Sequence, residues 1–310
     1  MKLLKITLGL FCLSQVFFGA EEKPVKKGLT IQECLQRLES FSGKKDWNRT
    51  IKYGSYLTRY RSKTPGGIEA LYFLGVAYFE QGELEKANLY FTKYLSKNFM
   101  PKYFEEALKY KFQIADKFYG GAKKPLFGSE KMPAWLPAKE DALKIYAEVI
   151  NGLPQTEMAM KALFNSARIH FDFEEYKEAI EKAENFIGKY PKHELAIESF
   201  LLISQAYLKQ ASPRHQEDDL LNLAQINLEH FQKAFPGEER ILEAKKDLLG
   251  IKEIYAEGLF EVAQFYLKKG QASAAEIYHK KILSAFAETR VAEKISRMAL
   301  PQPKEEKAKG

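Results

Sequence analysis

The stretch Leu71-Tyr-Phe-Leu74-Gly75-Val-Ala-Tyr78, followed by Gly82, by Ala87-Asn-Leu-Tyr-Phe91 and by Pro101, decides how the chain folds. Leu71, Leu74 and Tyr78 stand at i, i+3 and i+7, the spacing of one face of an α-helix. Gly75 and Ala87 are small and fall on successive helices, where they let two backbones approach closely. Gly82 offers a left-handed residue to end the first helix. Pro101 keeps the second helix from running on. The stretch reads as two antiparallel helices joined by a tight turn.

The same frame recurs along the chain. Leu163, Ser166-Ala167, Ala179, Phe186 and Pro191 hold the corresponding places further on, as do Leu202, Ala206, Ala224, Phe231 and Pro236. Leu259, Val262-Ala263, Tyr266, Gly270, Ala275 and Ile282 repeat it again. A looser copy opens on Ala115 and Phe118 and closes on Ala142, Tyr146 and Pro154, and a degenerate one runs through Cys34, Leu38, Phe41, Ile51 and Leu57. An atypical first unit is what a cap should look like. This is the pattern of the tetratricopeptide repeat (TPR), with Leu71 where the pattern usually has Trp. The reading is an all-α TPR solenoid of about six helix-turn-helix units, over residues 31–298, forming a right-handed superhelix. The alternating runs that mark strands do not occur.

Two segments depart from the frame. One is a long loop insertion, 120–137, which holds Leu126, Phe127, Trp135 and Leu136 among glycines, prolines and lysines. Its apolar residues favour a loop folded back over the solenoid, with a partner-binding loop as the alternative. The other, 238–257, carries an apolar stripe (Ile241, Leu248, Leu249, Ile251, Ile254, Tyr255) and reads as an extended helix entering the last unit.

The N-terminus is ordered as a signal peptide, 1–20: Lys2 and Lys5, an apolar run from Ile6 to Phe18, Gly19-Ala20, then the polar Glu21-Glu22-Lys23. A linker, 21–30, follows. Cys12 lacks the leucine three residues earlier that a lipid-bearing cysteine usually has, because Gly9 stands there. It reads as a residue of the apolar run, with lipidation as the alternative. Cys34 is then the one cysteine of the mature chain, so the core and not a disulfide must hold it together. The tail, 299–310, is charged and reads as disordered.

Lys and Arg number 48 against 41 Asp and Glu, a net charge of +7 spread thinly along the chain. There is no dense arginine-aromatic cluster of the kind that binds nucleic acid. His170, His193, His215, His230 and His279 are scattered, and no phosphate loop, dinucleotide turn or paired-cysteine motif occurs. The chain reads as a non-enzyme that uses no cofactor and no metal.

Glu261-Val-Ala263, Tyr266-Leu-Lys268-Lys269 and Ala272-Ser-Ala-Ala275 resemble the C-terminal repeat of the BamD/ComL (YfiO) family of outer-membrane assembly lipoproteins. The resemblance implies a periplasmic, outer-membrane-associated adaptor that touches the membrane only by association or a lipid anchor. It implies that the C-terminal repeats, at Glu261, Tyr266, Lys268 and Lys269, contact a POTRA domain of the β-barrel insertase. The N-terminal repeats would take up the aromatic C-terminal signal of unfolded barrel clients. A general periplasmic TPR scaffold linked to cell-wall or division machinery is the alternative.

One further pattern bears on client binding. The residue after the first frame position, and the one two turns on, are Tyr72 and Phe79, then Phe112 and Tyr119, then Phe164 and Phe171. This stripe is expected to stand clear of its own repeat and form an aromatic slot for an extended peptide. Arg168 lies between Phe164 and Phe171 and could pair with a peptide carboxylate. The competing reading is that the rings pack against the next unit or lie under the 120–137 loop.

Overall fold

The computed structural model describes residues 29–97, 100–125, 134–213 and 218–299. Cys12, Phe127, the signal peptide, most of the linker and the tail from residue 300 onward lie outside the described residues. The chain divides into two compact units, residues 1–99 and 100–310.

Unit 1 holds two helix pairs: α1 (Ile31–Gly43) with α2 (Trp47–Tyr60), and α3 (Pro65–Glu80) with α4 (Leu84–Leu95). The close approach expected at Gly75 is present. A methyl group added there would sit 2.7 Å from the Phe91 ring, and Phe91, Leu74, Ala87 and Tyr94 are fully buried.

Unit 2 holds four pairs among the described residues. These are α5 (Phe104–Tyr119) with α6 (Lys139–Gly152), α7 (Glu157–Asp172) with α8 (Tyr176–Lys189), α9 (Glu194–Gln210) with α10 (Asp218–Ala234), and α11 (Ile241–Lys268) with α12 (Ala272–Ala285). Helix α13 (Arg290–Ala299) follows and adds Val291, Ala292 and Ile295 to the core. The 28 residues of α11 make it twice the length of its partner. Its first turns pack Ile241 and Ala244 against Phe200 and Phe231, whose rings stack at 5.1 Å. The later turns pack Ile251, Tyr255 and Leu259 into the main core.

The two arms of the 120–137 insertion contradict the strand-free expectation. Lys123–Pro125 (β1) and Ala134–Pro137 (β2) pair antiparallel, with Lys124 opposite Leu136. Lys-Lys-Pro has no alternation to announce a strand. The pairing is set by the partner arm and not by local propensity. Whether the tip of the insertion folds back lies outside the described residues.

Two devices repeat at the helix ends. Five of the six turns within pairs put one residue in the left-handed region: Lys45, Gly82, Gly121, Glu174 and Gly270. In each, the next backbone N–H bonds the carbonyl five residues back, as Glu83 does to Tyr78 and Glu175 to His170, both at 2.9 Å. The turn between α9 and α10 is entered differently among the described residues, with Ala211 leaving α9 in extended geometry. Four first helices of pairs, α1, α3, α7 and α9, are opened by side-chain caps, whereas α5 and α11 have none. Thr30, Thr64 and Thr156 accept from the N–H three residues on, and His193 Nδ1 accepts from Leu195. Thr289 does the same for α13. Helices α6, α8 and α10 stop two residues before Pro154, Pro191 and Pro236, because the residue before a proline is driven out of helical geometry.

Candidate functional site: an acidic cleft and an apolar shoulder

The expected ladder divides between the units, with Tyr72 and Phe79 in unit 1 and the other members in unit 2. It does not stand clear of its own repeats. Tyr72 is buried, with its ring 6.0 Å from Phe91 and 5.7 Å from Tyr94 on the second helix of the same pair. Phe112 meets Tyr146 at 5.8 Å, and the buried Phe164 meets Phe186 at 6.3 Å. A ring is long enough to span the gap to the second helix, which a smaller residue at the same position would leave open. Phe79 and Phe171 are half-buried, Phe171 edge-on to Tyr176 at 5.5 Å.

In unit 2 the structure does bring Tyr119, Phe164 and Arg168 together. The exposed Arg168 guanidinium lies 5.7 Å from the centre of the Tyr119 ring, and Lys139 Nζ is equally near that ring. Burial pushes the Tyr119 hydroxyl above its ordinary pKa, and Arg168 partly offsets this. Phe164 and Arg168 also form one wall of a cleft of 540 Å³, whose other sides come from Leu195, Leu201 and Leu202 and from Glu194, Glu198 and Glu243. Glu198 is held by Arg240 at 2.8 Å. Arg240 also draws the Glu238 carboxyl below its usual range through a hydrogen bond. The pairing expected between Arg168 and a peptide carboxylate thus meets an acidic rim. The cleft suits an extended segment with apolar side chains and amide or cationic groups better than a free C-terminus.

The C-terminal residues singled out from the sequence lie on α11 and, for Lys269, at its C-terminal cap. Glu261, Lys268 and Lys269 are exposed, and the Tyr266 ring stacks on Tyr278 of α12 at 5.6 Å. The sequence reading missed their apolar neighbours. Phe265 is 55% exposed, Leu267 43%, Val262 38%, and Ile277 on α12 67%. Lys269 Nζ stands 5.8 Å from the Phe265 ring centre. The signal was present: Phe265 and Ile277 are apolar at positions off the buried stripe of Leu259, Ala263, Ala275 and Ile282. A second apolar surface, a groove of 640 Å³ between α8 and α10, is lined by Ile187, Ile203, Tyr207, Leu223 and Ile226.

Among the described residues no three His, Cys, Asp or Glu are placed to hold a metal ion, and no helix is long and apolar enough to cross a membrane. Burial pushes the Cys34 thiol above its ordinary pKa, and the residue is 1% exposed.

Residues 137–302, more than half the chain, match the model of the YfiO family, described as an outer membrane lipoprotein. The chain belongs to the YfiO family. Residues 69–98, which contain the stretch from Leu71 to Phe91, match a tetratricopeptide repeat model. A curated relative, outer membrane protein assembly factor BamD of Caulobacter vibrioides, is 25% identical over 167 residues, which cover 50% of this chain and 55% of that protein. The chain thus spans about half the length of the curated relative it matches. Similar solved structures include a tetratricopeptide repeat protein of Parabacteroides merdae, at TM-score 0.38 and 14% identity, covering 86% of this chain and 98% of that one. MamA of AMB-1 is similar at TM-score 0.37 and 13% identity, over 66% of this chain and 89% of that one. PilW, a type IV pilus biogenesis factor, is similar at TM-score 0.29 and 11% identity, over 86% and 98%. The YfiO match covers the acidic cleft and the α11–α12 shoulder together.

Proposed function

We propose that this protein is a periplasmic, outer-membrane-associated adaptor that assists assembly and insertion of β-barrel proteins by binding, not by catalysis. Its C-terminal repeats dock on a POTRA domain of the barrel insertase. The acidic cleft beside Phe164 and Arg168 holds apolar segments of unfolded clients. The observation that carries the reading is the exposed pair Val262 and Phe265, three residues apart on one face of α11 and edged by Lys268 and Lys269, inside the family-matched half of the chain. Each large apolar side chain left in water forgoes about 1.5–3 kcal/mol of burial. Val262 and Phe265 stand side by side on α11 and form an apolar face suited to a partner.

Co-purification from cross-linked cell envelopes tests this. Recovery of the barrel insertase with the wild-type chain, and its loss with Phe265→Asp, is the expected result. Reproducible recovery of cell-wall or division proteins without the insertase would replace the proposal with a general periplasmic scaffold.

A further inference from the structure

Unit 1 contains a second kind of cleft, which the adaptor reading does not use. Ser55, Arg59 and Ser62 run down one face of α2 and its end. Tyr90, Lys93 and Lys97 run down one face of α4 and just beyond it. The two faces oppose each other across the start of α3, and the space between them is 450 Å³. No carboxylate lines it. The second helices of two successive pairs here bracket the first helix of the later pair, the arrangement also seen at α8, α9 and α10 in unit 2. There the lining is mostly apolar, with Ile187, Phe200, Ile203, Leu223 and Ile226. The repeat architecture therefore does not require cations at this position.

The three cations are also uncommitted in a way their neighbours are not. Arg49 is paired with Asp46 and Lys86 with Glu83. Among the described residues Arg59, Lys93 and Lys97 form no ion pair. Arg59 rests over the Tyr60 ring and Lys93 over the Tyr90 ring, at 5.7 and 5.4 Å from the ring centres. Thr58 spends its hydroxyl proton on the carbonyls of Gly54 and Ser55, which leaves the Ser55, Ser62 and Tyr90 hydroxyls to meet a ligand.

We propose that this cleft binds a phosphate group, carried either by a lipid headgroup or by a soluble compound. Three like charges around one space repel each other, and an anion placed among them relieves that repulsion. A phosphate monoester carries about −1.5 to −2 charges and three acceptor oxygens. That matches a guanidinium, two ammonium groups and several hydroxyls better than a single carboxylate does. Arginine adds a paired, planar contact that lysine cannot make.

The full mature chain, labelled with ¹⁵N, is titrated with inorganic phosphate at constant ionic strength. The expected result is saturable amide shifts confined to residues 55–62 and 90–97, with acetate producing about tenfold weaker effects or none. Arg59→Gln with Lys93→Gln is expected to weaken phosphate binding at least about tenfold while leaving the melting temperature in chloride unchanged. Sedimentation with phosphatidylglycerol vesicles but not phosphatidylcholine vesicles, lost in the double variant, assigns the phosphate to a lipid. Phosphate binding without vesicle binding assigns it to a soluble compound. Non-saturating shifts spread over all surface lysines would overturn the proposal. So would equal affinity for acetate, or tighter binding of a peptide with a free C-terminus. The shift map of the unaltered chain decides the matter even if the double variant fails to fold.

Discussion

Tyr146 Oη donates a 2.6 Å hydrogen bond to Asp116 Oδ1, and so ties α6 to α5 from inside the third helix pair. Asn165 of α7 reaches both groups, donating to Tyr146 Oη at 3.2 Å and to Asp116 Oδ1 at 3.4 Å. Tyr146 is fully buried, and burial is the main reason that both its hydroxyl and the Asp116 carboxyl are pushed up in pKa. The triad joins one repeat to the next with polar contacts that a register shift would leave unsatisfied.

Asp116→Asn keeps an acceptor for Tyr146 and is expected to fold well. Asp116→Leu strands the tyrosine hydroxyl and is expected to cost about 1–3 kcal/mol in urea unfolding. The raised carboxyl also fixes a pH dependence. The folded chain holds this proton more tightly than the unfolded chain, so its contribution to stability falls as pH rises from about 3.9 through the raised value. Asp116→Asn removes that slope, and unfolding curves collected from pH 4 to 7 measure it.

Lys111 is fully buried on α5, with its ammonium 2.8 Å from Glu148 on α6. Burial pulls its pKa below the ordinary lysine value, against the opposing effect of Glu148. Glu148→Ala is expected to cost about 1–3 kcal/mol, because it removes a charged partner from a buried cation. Lys111→Met should cost far less, or stabilise. The folded chain gives up this proton more readily than the unfolded one. Stability from Lys111 therefore rises with pH between the lowered value and about 10.4. Thermal melts at pH 8 and 10 for wild type and Lys111→Met separate that contribution.

The recurring left-handed turn gives opposite outcomes at equivalent positions. Gly82→Ala or Gly270→Ala places a β-carbon in left-handed geometry and is expected to cost about 1–2 kcal/mol. Glu174→Gly and Lys45→Gly remove such a strain and should be neutral or stabilising. Chemical denaturation of the four variants checks the contrast. A uniform loss of stability would show that the turn is held by the side chains of Glu174 and Lys45.

These turns also mark what the sequence could convey. Gly82 and Gly270 announce the left-handed residue, whereas Glu174 and Lys45 adopt it because the flanking helices impose it. Leu71, Gly75 and Phe91 were legible because helix spacing and close approach are local requirements. Lys123–Pro125 was not, because a strand of three residues exists only through its partner. The aromatic stripe was legible as a face but not in its surroundings. Nothing in the spacing of Tyr72 or Phe164 says how far a ring reaches toward the second helix. Phe265 and Ile277 were visible as apolar residues off the frame. Their exposure depends on which side α13 covers, and Val291, Ala292 and Ile295 close another part of the core.

The most direct test of the adaptor account is calorimetric titration of the mature chain with an isolated POTRA domain of the barrel insertase. The account predicts saturable binding that Phe265→Asp combined with Val262→Asp weakens by about a hundredfold, with helical content and melting temperature unchanged. Binding that is undiminished in this double variant, or no binding by the wild-type chain, would contradict it.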